Sequence, residues 1–281
     1  MRELHVSALT DVIAELCKKA CTELPEDVVA NLSKALGREK SEVGKETLRD
    51  IHTNLKIAQD ESVPLCQDTG FTIVVLDIGQ DVHLTGGKLD DAINEGVRRG
   101  YKEGFLRTSI LQDPVRRDKN TGDNTPAVIH THLVPGDKIA ISVLPKGGGS
   151  ENKSALKMLT PADGLEGVKK FVIDTVSKAG PSACPPLTVG VGIGGTFDHV
   201  AWLAKKAIFR KSGEPNADPY YAKLEAELLE TINKLGIGPM GLGGSTTSIA
   251  VHIEAHPCHI ASLPVAVNIQ CHSARHKEAV L

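Results

Sequence analysis

From Pro64 onward the chain becomes a succession of short β-rich runs separated by glycine turns, and this texture limits the folds open to it. The runs fall at 72–78, 128–133, 138–144, 187–193, 248–254 and 265–271, with helical patterns between some of them at 89–105, 164–179, 197–210 and 220–235. Before Pro64 the periodicity is helical. Residues 11–24 place Ile13, Cys17, Ala20 and Leu24 on one face, 27–36 run up to Gly37, and 45–58 carry Leu48, Ile51, Leu55 and Ala58 on one stripe. The expectation is a mixed α/β (α+β) fold: a helical N-terminal segment over 1–60, followed by β-sheets flanked by helices. No internal repeat or long linker divides the 281 residues, so 1–281 reads as a single domain with ample material for a core.

Composition excludes several function classes. With 41% hydrophobic residues and no low-complexity run, whole-chain disorder is ruled out. The longest apolar stretches, such as 139–144, fall far short of the roughly 18 residues that span a bilayer. The opening Met-Arg-Glu-Leu-His lacks the apolar segment of a signal peptide. A net charge of −3 gives no general support for a nucleic-acid surface. A soluble, cytoplasmic protein with neither nucleic-acid nor membrane partners is expected.

Three motifs invite readings that their context weakens. Gly190-Val-Gly192-Ile-Gly-Gly195 matches a dinucleotide fingerprint after a strand and before a helix, but no second strand with an acidic ribose contact follows about 20 residues on. Tight strand-to-helix packing is the preferred reading. Lys146-Gly147-Gly148-Gly149-Ser150 lacks the rest of a P-loop, yet its backbone N–H groups can cradle an anion, a carboxylate as well as a phosphate. His130 and His132 alternate on a strand, and His252, His256, Cys258 and His259 crowd near a proline. Zinc uses such ligands, but no HExxH or CxxC spacing accompanies them.

The six cysteines lie at 17, 21, 66, 184, 258 and 271, too scattered for a disulfide scaffold. Reduced thiols are expected, each a small core residue or a metal ligand. Cys17 lies on the buried stripe with Cys21 one turn on, and both read as core. Cys66, Cys184 and Cys271 each sit where proline, glycine or polar residues interrupt the pattern, as ligand loops do. Cys258, in His-Pro-Cys-His, stays open, with a structural role preferred.

Cys66-Gln-Asp-Thr-Gly70, Asn120-Thr-Gly-Asp-Asn-Thr-Pro-Ala127, Lys146-Gly-Gly-Gly-Ser-Glu-Asn152, Cys184-Pro-Pro186, the 190–195 run and His256-Pro-Cys-His-Ile-Ala-Ser-Leu-Pro-Val-Ala-Val-Asn268 follow one another in the chain. Together they resemble the α subunit of class I fumarases, the iron–sulfur hydro-lyases, and of L-tartrate dehydratase. The similarity runs from about residue 1 to 277. It implies that Cys66, Cys184 and Cys271 are thiolate ligands of a [4Fe–4S] cluster whose fourth iron stays open as a Lewis acid. It further implies substrate contacts at Gln67, Arg107 and Gly148, an acid/base role for Asp68, and a catalytic place for His259 beside the substrate. A β subunit would supply the rest of the site, so the expectation is the α chain of a two-chain enzyme, assembled as a dimer of α/β units. Hydration of fumarate to (S)-malate is the favoured activity on a small dicarboxylate, with L-tartrate dehydration as the alternative. An iron–sulfur redox protein and a zinc hydrolase are the competitors from other classes.

Overall fold

A computed structural model describes residues 1–281. In chain order the elements are β1 (Arg2–His5), α1 (Ser7–Thr22), α2 (Glu26–Arg38), α3 (Glu42–Glu61), β2 (Phe71–Gly79), β3 (Val82–Thr85) and α4 (Leu89–Glu103). Then come β4 (Val128–Val134), β5 (Ile139–Lys146), α5 (Gly148–Glu151), β6 (Ala155–Leu159), α6 (Gly164–Ala179), β7 (Leu187–Gly194) and α7 (Phe197–Ala207). The last are α8 (Pro219–Asn233), β8 (Ser248–His256), β9 (Leu263–Gln270) and β10 (Lys277–Val280). The mixed α/β fold class is as expected. The helical stretch before residue 60 is preceded by a strand, β1, that the periodicity does not reveal.

The chain forms two compact units. The first comprises Met1–Pro25, Asn54–Gly148 and Arg275–Leu281. Its four-stranded sheet has the order β10-β5-β2-β4, with β2 antiparallel to β5 and parallel to β4. The apolar stripe of α1 (Leu9, Ile13, Cys17) and that of α4 (Ile93, Val97) cover Val74 and Leu76 of β2 and Ile139 and Ile141 of β5. β1 pairs in parallel with β3 alongside.

The second unit comprises Glu26–Thr53 and Gly149–Ala274. Its sheet has the order β6-β9-β7-β8, with β7 parallel to β8 and antiparallel to β9. Val172 and Val176 of α6 and Leu224 and Leu228 of α8 pack with Val189 and Val191 of β7. Val200 and Ala204 of α7 meet Ala266 of β9 on the other face. A sheet covered on both sides explains why β7 reads as a nearly continuous buried run rather than an alternation. The glycines of 190–195 serve that packing. A Cβ on Gly190 would lie 2.3 Å from the Ala204 carbonyl oxygen, and one on Gly192 equally close to that of Val200. Helix α7 therefore rests directly on strand backbone. No helix is long and apolar enough to cross a membrane.

Two predictions follow from this packing. Gly192→Ala forces α7 off the sheet and lowers the melting temperature by about 5 °C or more, read by thermal circular dichroism. His252 of β8 is buried with neither ring nitrogen hydrogen-bonded. Burial, helped by the Arg210 guanidinium, pushes its pKa from 6.5 down to about 4. The unfolded chain therefore binds a proton that the folded chain refuses between those values. The stability this residue contributes is complete above pH 6.5 and falls by about 1.4 kcal/mol per pH unit toward pH 4. In urea unfolding, His252→Gln should flatten that part of the pH profile.

Candidate active site

In the first unit the Cys66–Gly70 turn follows α3 and leads into β2. Asp68 closes the turn on itself, its Oδ1 accepting the Gly70 N–H at 3.0 Å. Its other oxygen accepts the Gly148 N–H at 2.8 Å. The glycine run at 147–149 thus holds a carboxylate, as its exposed N–H groups allow, and that carboxylate is the chain's own. A side chain at Gly147 would intrude, since its Cβ would lie 3.2 Å from Asp68 Oδ2.

The turn's carbonyls are held by side chains to which the sequence assigns no role. Tyr101 of α4 donates its hydroxyl toward the Thr69 and Gly70 carbonyls at 2.8 and 3.1 Å. Asn124 donates Nδ2–H to Gly70 at 3.1 Å while its Oδ1 accepts the Ser109 N–H at 2.8 Å. Arg275 donates to the carbonyl of Asp68 itself. Thr69 in turn donates its hydroxyl to the Arg107 carbonyl at 2.9 Å, fixing the backbone of that residue while its guanidinium stays exposed. Gln67 is exposed beside Cys66, whose thiol donates weakly to Gln67 Oε1 at 3.5 Å. Asn124 lies within a motif block, which was a signal. Arg275 and Tyr101 carried none, one resembling a solvated charge and the other a core aromatic.

In the second unit Cys184 and Cys271 are neighbours through the backbone. Cys184 leaves a short 3₁₀ turn in the left-handed conformation, φ 55 and ψ 64, unusual for a residue with a side chain. Its carbonyl accepts both the N–H and the Nδ1–H of His272, each at 3.1 Å, and His272 directly follows Cys271. The register explains the meeting: β7 and β9 are antiparallel, with Thr188 opposite Gln270, so the residues before one strand lie next to those after the other. His259 is exposed in the β8–β9 connection, not satisfied in a core, and its Nδ1 accepts the Ala261 N–H at 3.1 Å. Cys258 is exposed and donates to the Ser262 carbonyl at 3.2 Å.

The six thiols are unbonded to one another and sort clearly. Cys17 and Cys21 are buried in the core, and burial pushes both pKa values up, that of Cys21 to about 11. They are poor thiolate donors under ordinary conditions. Cys66, Cys184 and Cys271 are partly exposed at chain bends, the donor chemistry that a thiolate-bound cluster requires. No three His, Cys, Asp or Glu side chains gather as the ligands of a metal ion, the His252–His259 group and the His130–His132 pair included.

A family model described as fumarate hydratase (Fumerase) matches residues 10–280. A Methanocaldococcus jannaschii protein provisionally named L(+)-tartrate dehydratase subunit alpha is 48% identical over 272 residues, covering 95% of each chain. The L(+)-tartrate dehydratase subunit alpha of Escherichia coli is 36% identical over 276 residues, spanning 98% of this chain and 91% of its own. That of Shigella boydii is 35% identical with the same coverage.

The carbonyl clamps on the turn make a measurable claim. Asn124 is fully buried at φ 60, a conformation asparagine tolerates better than alanine. Asn124→Ala leaves the Ser109 N–H unpaired as well and should cost about 2–4 kcal/mol in urea unfolding, against about 1 kcal/mol for Tyr101→Phe.

Proposed function

Because the chain belongs to the fumarate hydratase family, we propose that it is the α subunit of a [4Fe–4S]-dependent hydro-lyase that interconverts fumarate and (S)-malate. A β subunit completes its site. The carrying observation is the hydrogen bond from the Gly148 N–H to the Asp68 carboxylate, which joins two site residues 80 positions apart. The names of the relatives, each a subunit alpha, support a partner chain. The whole chain, 1–281, is taken as one α-type catalytic domain, working in the reducing cytoplasm in a dimer of α/β units.

In this reading Cys66, Cys184 and Cys271 hold the cluster. When bound there, the cluster would supply Lewis-acid chemistry, which the loss of a poor leaving group such as hydroxide needs. The chain's own residues do the rest. Asp68, which retains the Gly70 N–H when substrate takes that of Gly148, keeps lone pairs free to accept a proton, or carries one for return. A substrate carboxylate reaches the Gly148 N–H by displacing that of Asp68, which already occupies a carboxylate's place. Arg107 offers an exposed guanidinium whose planar fork suits a carboxylate, with Gln67 supplying an amide beside it. His259 accepts at Nδ1, so its neutral form carries the proton at Nε2, an exposed donor for the substrate.

L-tartrate dehydration is the second reading, favoured by the names of the relatives. The two substrates differ by one hydroxyl, and turnover of fumarate against L-tartrate by the α/β enzyme decides between them.

The test is anaerobic reconstitution of the chain followed by iron and sulfide analysis. About four of each, with a three-iron EPR signal after mild oxidation, is expected. Cys66→Ser, Cys184→Ser and Cys271→Ser should each lose most of the iron, while Cys17→Ser and Cys258→Ser keep it. Zinc, or no metal after careful reconstitution, would sink the reading. Hydratase activity should appear on adding the β subunit and fade in air with the cluster colour.

A further inference from the structure

Arg275 opens the C-terminal stretch of the first unit and is only 2% exposed. Its Nε–H donates to the Pro145 carbonyl at 3.0 Å, at the end of β5, and its Nη2–H to the Asp68 carbonyl. Nη1 is buried with no acceptor at all. Both hydrogen bonds therefore go to neutral oxygens, and no carboxylate forms an ion pair with the guanidinium.

This is an unusual state for an arginine. The guanidinium keeps its charge under all ordinary conditions. Taking such a charge out of water is costly unless an anion and a full set of acceptors replace the water. Two carbonyls meet part of that need; the Asp68 carboxylate lies nearby without forming an ion pair, and Nη1 keeps no acceptor. The location of this underpaired guanidinium is specific. Arg275 grips the backbone of Asp68, two residues from Cys66, and ties it to the strand that leads into the Gly147–Gly149 run. Its field spans the turn: although burial dominates at the Cys21 thiol and the Tyr101 hydroxyl, Arg275 acts against it at both.

We propose that Arg275 is the positioning residue of the Cys66–Gly70 turn, and that its idle Nη1 and its guanidinium, which makes no ion pair in the chain, are matched by an anion resident in the loaded protein. That anion is the three-thiolate cluster assigned above, so the inference rests on that reading. A cluster held by three thiolates carries negative charge, and its reduction potential responds to nearby charge and to hydrogen bonds. The role is distinct from that of Arg107, whose exposed guanidinium suits a substrate that comes and goes.

Arg275→Lys keeps the charge, whereas Arg275→Gln removes it and leaves a shorter amide donor. Wild type and both variants, as full chains with the β subunit, are reconstituted anaerobically; iron, sulfide and reduction potential are measured, with iron loss to a chelator followed in time. The lysine variant should match wild type in potential. The glutamine variant should be harder to reduce and lose iron several-fold faster. A glutamine variant equal to wild type in both, or two variants equally altered, overturns the charge role and leaves only a bridge between carbonyls. Wild type alone gives a second reading that needs no variant. ¹⁵N NMR of the Arg275 side chain should show several-fold slower hydrogen exchange in the loaded protein than in the cluster-free chain, because Nη1 gains an acceptor. Unchanged exchange overturns the inference while leaving the cluster reading intact. A wild-type chain that takes up no iron overturns both.

Discussion

The carboxylate of Asp68 accepts two backbone N–H groups, from Gly70 and Gly148, and much of the first unit is arranged so that it can. A turn of irregular backbone cannot stay buried unless its polar groups are satisfied. Here they are satisfied by side chains rather than by a ladder: Arg275 on the Asp68 carbonyl, Tyr101 and Cys21 on that of Thr69, Asn124 and Tyr101 on that of Gly70. Helices α1 and α4, which supply Cys21 and Tyr101, are held to the sheet by their apolar stripes. The core therefore does more than stabilise the unit. It sets the height at which two polar atoms reach the turn.

The second unit reaches a similar result by sheet topology. A strand pair in antiparallel register brings the approach to β7 beside the exit of β9, and the His272 bonds to the Cys184 carbonyl extend that pairing one step beyond the ladder. Cys184 takes a left-handed conformation to make the corner. Such a cost persists only where the surroundings over-determine it, and here they do: the 3₁₀ turn before, two prolines after, and a double acceptor role on the carbonyl. The glycines of β7 belong to the same economy of space, because backbone-on-backbone contact with α7 lets the sheet be covered on both faces.

The parts legible in the sequence are those whose information is local. Periodicity alone gives α6 at Gly164–Ala179, where a buried stripe and a flanking glycine coincide, and it gives all the long strands to within a few residues. The edge strands β1, β3, β6 and β10 escape because each is only four or five residues long. Arg-Glu-Leu-His and Lys-Glu-Ala-Val become strands through their partners rather than through their own pattern. At the site, the split between core and bend cysteines was readable from helical spacing and from interrupting prolines. The Asp68–Gly148 pairing was not: its two motifs are distant in the chain, and only the resemblance named both. Arg275 was invisible for a different reason. Inside Ser-Ala-Arg-His-Lys it reads as a solvated charge, and nothing short of the fold reveals that it is buried.

That contrast between readable and unreadable charges bears on how an overall charge of −3 accommodates an anionic site. The global sum is uninformative because field strength depends on where a charge sits. An exposed guanidinium such as Arg107 is hydrated and screened, and trades water for a ligand at modest net gain in either direction. A buried one cannot rehydrate without unfolding its surroundings, so any anion it meets is bound in low dielectric and resists release. An exchangeable ligand and a resident one call for cations at opposite extremes of burial, and the Cys66–Gly70 turn has one of each kind attached to it: exposed Arg107 through the Thr69 hydroxyl and buried Arg275 through the Asp68 carbonyl. Under the function proposed above, swapping their exposures would give a site that holds product and sheds its cofactor.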